Sequence, residues 1–135
     1  MTLSAEIRQE LIAAAVAARQ WAYAPYSKFL VGAALLTESG KIYDGINIEN
    51  AAYPSGICAE RVERFKAVSE GERKFVAMAV ATSNAGSSCG ACRQVLAEWG
   101  LDTIILFCDA EGNVVTETTV GGLLPGAFLP EHLLG

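Results

Sequence analysis

The chain has 135 residues, 52% hydrophobic and 19% charged, with a formal net charge of −5; that length suits one unit, residues 1–135, with a core of its own. Its ten basic residues are scattered among fifteen acidic ones, leaving no footprint for a polyanion, so nucleic-acid partners are disfavoured. Glu6, Arg8 and Glu10 interrupt the approach to the apolar run at 11–18, which is itself too short to span a bilayer; neither a secretory leader nor a membrane partner is expected.

Residues 4–22 read as a helix capped by Ser4, with Ile7, Leu11, Ala14, Ala15, Ala18 and Trp21 at helical spacing, broken by the stretch YAPYSK. FLVGAALLT at 29–37 reads as a buried strand, ESGK as a turn, and IYDGINIE at 42–49 as the returning arm of a hairpin. After the loop NAAYPSGI, residues 58–70 form a helix ended by Gly71, with Ala59, Val62, Phe65 and Val68 expected in the core. KFVAMAVATS at 74–83 and TIILFCDA at 103–110 are strands, and GACRQVLAEW at 90–99 is a helix stopped by Gly100. NVVTETTV adds a last strand, and a short helix plus tail closes the chain. The alternation predicts an α/β fold with a mixed sheet, in which right-handed crossovers join parallel strands flanked by helices. High apolar content at this size also points to surfaces that meet other subunits.

Four cysteines in a chain with no export pattern read as reduced thiols, metal ligands or catalytic groups, and the expected location is cytoplasmic. Cys89 and Cys92 lie three apart on the first turn of one helix, so both can face a point about 2.3 Å from each sulfur. Cys58, at the start of another helix, completes three ligands if the two helix ends lie side by side. Three protein ligands rather than four leave one position to water or substrate, the mark of a catalytic zinc site. Cys108 sits inside an apolar strand and His132 near the end of the chain, and neither is expected in the shell.

Glu60, two positions beyond Cys58, reaches the open position without binding the metal, where it can take a proton, pass it to a substrate nitrogen and later protonate a leaving amine. Read alone it is an ordinary first-turn acid paired with Arg64; beside three convergent thiols the proton-carrying role is the better reading. Three thiolates leave a negative shell, and Arg61 and Arg93 are the candidates to donate to the sulfurs, each reading equally well as a solvated helix charge.

Cys-x-Glu followed by Cys-x-x-Cys, each opening a helix, resembles the zinc-dependent nucleobase and nucleoside deaminases. PYSKFLVGAALL, GINIENAAY, CAER, FKAVSEG, CGACRQVL and LLPGAF together resemble the small homotetrameric cytidine deaminases over roughly residues 5–130. The resemblance implies a three-layer αβα cytidine-deaminase-like fold with a sheet of about five strands, and one Zn2+ per chain on Cys58, Cys89 and Cys92. It implies hydrolytic deamination of cytidine and deoxycytidine, water adding at C4 while Glu60 protonates N3. It assigns Asn47 and Glu49 to the ribose 3′-hydroxyl, Phe29 to the face of the base and the Ala59 backbone to the pyrimidine. It also implies a homotetramer in which Phe128 and residues near Tyr53 complete the pocket across subunits.

Two departures from the family pattern carry expectations. Ser88 stands where proline usually precedes Cys-x-x-Cys, and serine is expected to cap that helix instead. Val62, Glu63 and Arg64 replace the usual threonine, alanine and aliphatic residue, so charges at 63 and 64 are expected to alter packing or the oligomer. The competing functions are a same-fold deaminase of another nucleoside-like substrate, a catalytically silent zinc protein whose shell Cys108 or His132 closes, and a thiol-redox protein using Cys89 and Cys92.

Overall fold

A computed structural model describes residues 3–135; the first two residues of the expected 1–135 unit lie outside the described residues. Helix α1 (Ala5–Ala18) begins where the Ser4 hydroxyl accepts the Ile7 N–H at 3.2 Å, and it buries Leu11, Ile12, Ala15 and Ala18. It ends earlier than the apolar spacing suggests, because Arg19–Trp21 tightens into a 3-10 turn that leaves Trp21 exposed.

Strand β1 (Gly32–Thr37) is buried along its whole length and pairs antiparallel with β2 (Ile42–Ile46). It starts three residues later than expected, because the Asn47 side chain, not a neighbouring strand, takes the Val31 N–H and the Phe29 carbonyl. The chain continues through α2 (Ala59–Ser69), β3 (Phe75–Ala81), α3 (Gly90–Ala97), β4 (Ile104–Cys108), β5 (Val114–Thr119), α4 (Val120–Leu123) and α5 (Pro130–Leu134).

The five strands form one mixed sheet in the order β2-β1-β3-β4-β5. Among the described strands β3 and β4 are the one parallel pair of neighbours. The strands β2 and β3 also run the same way, but β1 lies between them and is antiparallel to both, so α2 crosses over β1. The expectation of parallel strands joined through helices therefore holds twice: α3 links the neighbours β3 and β4, and α2 links β2 and β3 with the hairpin partner β1 between them.

Alternation along the strands divides the core. Ala34, Leu36, Ala77, Ala79, Leu106 and Cys108 pack against Leu11, Ile12 and Ala15 of α1. On the other face Ala33, Leu35, Met78, Val80, Ile105 and Phe107 pack with Ala59 and Ala67 of α2 and Leu96 and Ala97 of α3. The result is three layers, α1 on one side and α2 with α3 on the other. No helix among the described residues is long and apolar enough to cross a membrane.

Helix α2 turns a different face inward from the one its apolar residues suggest. Its buried residues are Ala59, Glu60, Glu63, Arg64 and Ala67, while Val62 and Val68 are half-buried and Phe65 is 44% exposed. Two seats fix the rotation. A Cβ on Gly45 of β2 would stand 2.4 Å from the Ala59 carbonyl oxygen and 2.6 Å from the Glu63 amide, so the helix backbone lies directly on that glycine. At the same end Cys58 faces α3. This setting drives Glu63 and Arg64 into the core: the Arg64 guanidinium lies 4.2 Å from the Phe75 ring centroid and 5.7 Å from that of Trp99. Its Nε is 3.8 Å from Glu63 Oε1, and neither charged group has a hydrogen-bond partner.

Candidate metal centre and cleft

Two helix starts meet on one side of the sheet. Cys58 is the N-cap of α2 and Cys89 the N-cap of α3, both with extended backbone, and Cys92 lies buried in the first turn of α3. Neither N-cap sulfur accepts a backbone N–H of its own helix, so both are available to face each other. The three Sγ atoms lie within 4.8 Å of one another, with Cys58 and Cys89 at 3.8 Å, and all are free thiols. Two sulfurs bound to one tetrahedral zinc at about 2.3 Å stand about 3.8 Å apart, so the donor set fits that ion in type and spacing.

The thiols share charge. The hydrogen bond from Cys92, then the Arg61 guanidinium, hold the Cys58 thiol down at about 5, while the same bond and burial push Cys92 up. Arg61 Nη2 donates to Cys58 Sγ at 3.8 Å, which selects it as the basic residue beside the sulfurs. Arg93 turns away. It donates to the Ser88 carbonyl at 2.9 Å, the Leu123 carbonyl at 2.9 Å and Ser87 Oγ at 2.8 Å, tying the entry of α3 to α4.

Cys108 belongs to the opposite face of the sheet, against α1, where burial pushes its thiol up to about 11. His132 is exposed at the far end of the chain, its Nδ1 accepting the Leu129 N–H at 2.9 Å. Among the described residues the metal-type cluster is the three thiols alone.

Glu60 projects from the first turn of α2 with 5% exposure, and burial raises its pKa above the ordinary carboxylate value. Its partner is Ser88, whose Oγ donates to Glu60 Oε2 at 2.7 Å. The pairing of Glu60 with Arg64 is absent, and the cap of α3 is Cys89, not Ser88. Helix α3 begins at Gly90, one residue later than a Ser88 cap requires, so the hydroxyl lies outside the capping position.

Cys58, Cys89 and Glu60 open onto a cleft of about 860 Å³ that Phe29, Asn47, Glu49, Tyr53 and Arg61 also help to line. Asn47 Nδ2 donates to the Phe29 carbonyl at 2.8 Å and its Oδ1 accepts from Val31 at 3.0 Å. Glu49 accepts from the Tyr26 and Ser27 amides and from the Ser27 hydroxyl, and the Ser27 bonds hold its carboxyl below the usual range. These two side chains thus clamp segment 26–31, where Lys28 takes a left-handed φ of 62°, and keep unused donor and acceptor capacity for a ligand.

Ala59 lies outside the cleft lining, fully buried beneath it. Phe128 is 58% exposed and does not line this chain's own cleft. Tyr53 stands at the rim, 77% exposed, its ring 6.0 Å from that of Tyr26. Sequence reasoning missed Ser27, Thr82 and Asn84, and it gave Ser88 a helix-capping role in place of its bond to Glu60. Of the three missed residues Thr82 and Asn84 carried a signal, as polar residues after an apolar strand, and both line the cleft.

Gly45 ties this geometry to the sheet. Gly45→Ala is expected to lift the start of α2, costing about 1–3 kcal/mol of stability, and to weaken zinc retention because Cys58 moves with it. Thermal denaturation and chelator competition on the purified variant check both effects.

A sequence profile described as "Cytidine and deoxycytidylate deaminase zinc-binding region" matches residues 5–108. A cytidine deaminase of Sporosarcina psychrophila is 53% identical over 127 residues, 93% of either chain. One of Halalkalibacterium halodurans is 50% identical over 129 residues, covering 93% of this chain and 97% of its own. A crystal structure of cytidine deaminase from Burkholderia pseudomallei superposes with a TM-score of 0.83 at 47% identity, over 89% of this chain and 98% of that one.

Proposed function

From the premise that this chain belongs to the cytidine and deoxycytidylate deaminase family, we propose that it hydrolyses cytidine and deoxycytidine to uridine and deoxyuridine with release of ammonia, a step of pyrimidine salvage. The observation that carries this reading is the cluster of three free thiols, two of which line one cleft together with the buried Glu60 carboxylate.

Cys58, Cys89 and Cys92 hold one zinc per chain, and Arg61 offsets the negative charge of the three sulfurs. Zinc, when bound, supplies a Lewis acid that brings water into a reactive range near neutral pH. Glu60 accepts the proton that the water gives up, delivers it to N3 of the base and later carries a proton to the departing amine. Burial favours the neutral form of this acid, which suits a group that must give its proton back. Asn47 and Glu49 bind the ribose 3′-hydroxyl, which both donates and accepts. Phe29 packs on the base.

The working unit in this reading is a homotetramer, in which Phe128 and residues near Tyr53 of neighbouring subunits close the cleft. The exposure of both rings, and of Phe65 on α2, supports it. Free thiols at the metal site suit the reducing cytoplasm.

Zinc-loaded protein should release one ammonia per cytidine and per deoxycytidine consumed, lose the activity on chelation and regain it with zinc. Fully loaded protein that leaves both nucleosides intact would exclude this function.

A further inference from the structure

We propose that Ser88 is a positioning residue for this reaction, its hydroxyl pinning Glu60 Oε2 so that Oε1 is the oxygen that carries protons at the cleft. The inference rests on the function proposed above and on geometry outside the metal ligands themselves. Ser88 Oγ lies 2.7 Å from Glu60 Oε2, and both residues are 5% exposed, so water does not compete for the bond. Among the described residues Ser88 is the one side chain that bonds to Glu60.

The bond joins two elements. Glu60 rides on α2, whereas Ser88 precedes α3, and the Ser88 backbone is anchored independently by Arg93 through its carbonyl at 2.9 Å. The hydroxyl is therefore a fixed post against which the carboxylate rests. Without it the Glu60 side chain retains rotamers about its own torsions, and only some of them aim an oxygen into the cleft. A hydroxyl is also suited to a partner that gains and loses a proton, because it donates to a charged carboxylate and accepts from a neutral one.

The test compares zinc-loaded wild type, Ser88→Ala and Ser88→Thr. A catalytic group misplaced by about 1 Å can cost about a hundredfold, so Ser88→Ala should lose about ten- to a hundredfold in kcat. Its KM should stay within about twofold and its zinc stoichiometry should be unchanged. Ser88→Thr, which keeps the hydroxyl, should recover kcat to within about threefold of wild type. In the background of Glu60→Gln, Ser88→Ala should cost nothing further, since the two changes remove one function.

Wild-type kcat in Ser88→Ala, or a loss of kcat that tracks a loss of zinc, overturns the positioning role while leaving the proposed function standing. An inactive, zinc-loaded wild type overturns the function instead. A crystal structure of Ser88→Ala then still decides the pinning: a Glu60 carboxylate spread over several rotamers supports it, and one unchanged rotamer overturns it.

Discussion

Glu60→Gln is expected to keep its zinc and lose about three orders of magnitude in kcat, within the usual range for removing a general acid and base. Glutamine has the shape of glutamate and still offers an oxygen to the Ser88 hydroxyl, so the bond to Oε2 and the packing at the start of α2 survive. The three sulfurs are untouched. What disappears is the capacity to take up and return a proton, and at 5% exposure no bulk water reaches that point to substitute. KM should change little, because the ribose contacts proposed for Asn47 and Glu49 lie elsewhere in the cleft. Ammonia release with metal analysis of the same sample measures both halves, and near wild-type turnover in loaded protein would remove Glu60 from the chemistry.

The second large effect concerns stability. Glu63 and Arg64 are fully buried, 3.8 Å apart at closest approach, and their charged atoms lack hydrogen-bond partners. Such a pair recovers little of its desolvation cost, and replacing both members by apolar residues commonly stabilises by about 1–4 kcal/mol. The double change Glu63→Ala with Arg64→Leu should therefore raise the melting temperature. Glu63→Ala alone strands the guanidinium and should destabilise by about 3–5 kcal/mol.

The pair also sets a pH dependence. Burial, first among the causes, raises the Glu63 carboxyl well above its ordinary value of 4.5, so the folded pKa exceeds the unfolded one. Its contribution is fully present below the unfolded value and is lost as pH rises through the folded one. Between mildly acid and neutral pH the wild type should lose more stability than the double variant, as denaturant melts at several pH values will read. Equal slopes would mean that Glu63 is solvated in solution.

The metal site was legible because its chemistry is written locally. Cys-x-Glu and Cys-x-x-Cys at helix starts place sulfur and carboxylate by helical geometry alone, and only the meeting of α2 with α3 had to be supplied by the fold. The buried face of α2 was not legible. Val62, Phe65 and Val68 mark an apolar stripe, yet the contact with Gly45 and the direction of Cys58 fix the helix one step round, and those constraints come from β2 and α3.

Ser88 escaped for a similar reason. A serine before a helix reads as a cap, and its bond to an acid 28 residues earlier depends on tertiary approach. Arg61 and Arg93 were indistinguishable as charges beside ligands, and the position of α4, whose Leu123 carbonyl holds Arg93, separated them. The late start of β1 likewise reflects a side chain, Asn47, serving as the partner of backbone that looked like strand.

X-ray absorption at the zinc edge, on fully loaded and reduced protein, most directly reads the proposed tripod of thiolates with a vacant position beside Glu60. The account predicts three sulfurs at about 2.3 Å and one oxygen or nitrogen scatterer from solvent, with the pattern unchanged in Cys108→Ser and in His132→Ala. Four sulfurs, or a first shell altered by either substitution, would contradict it.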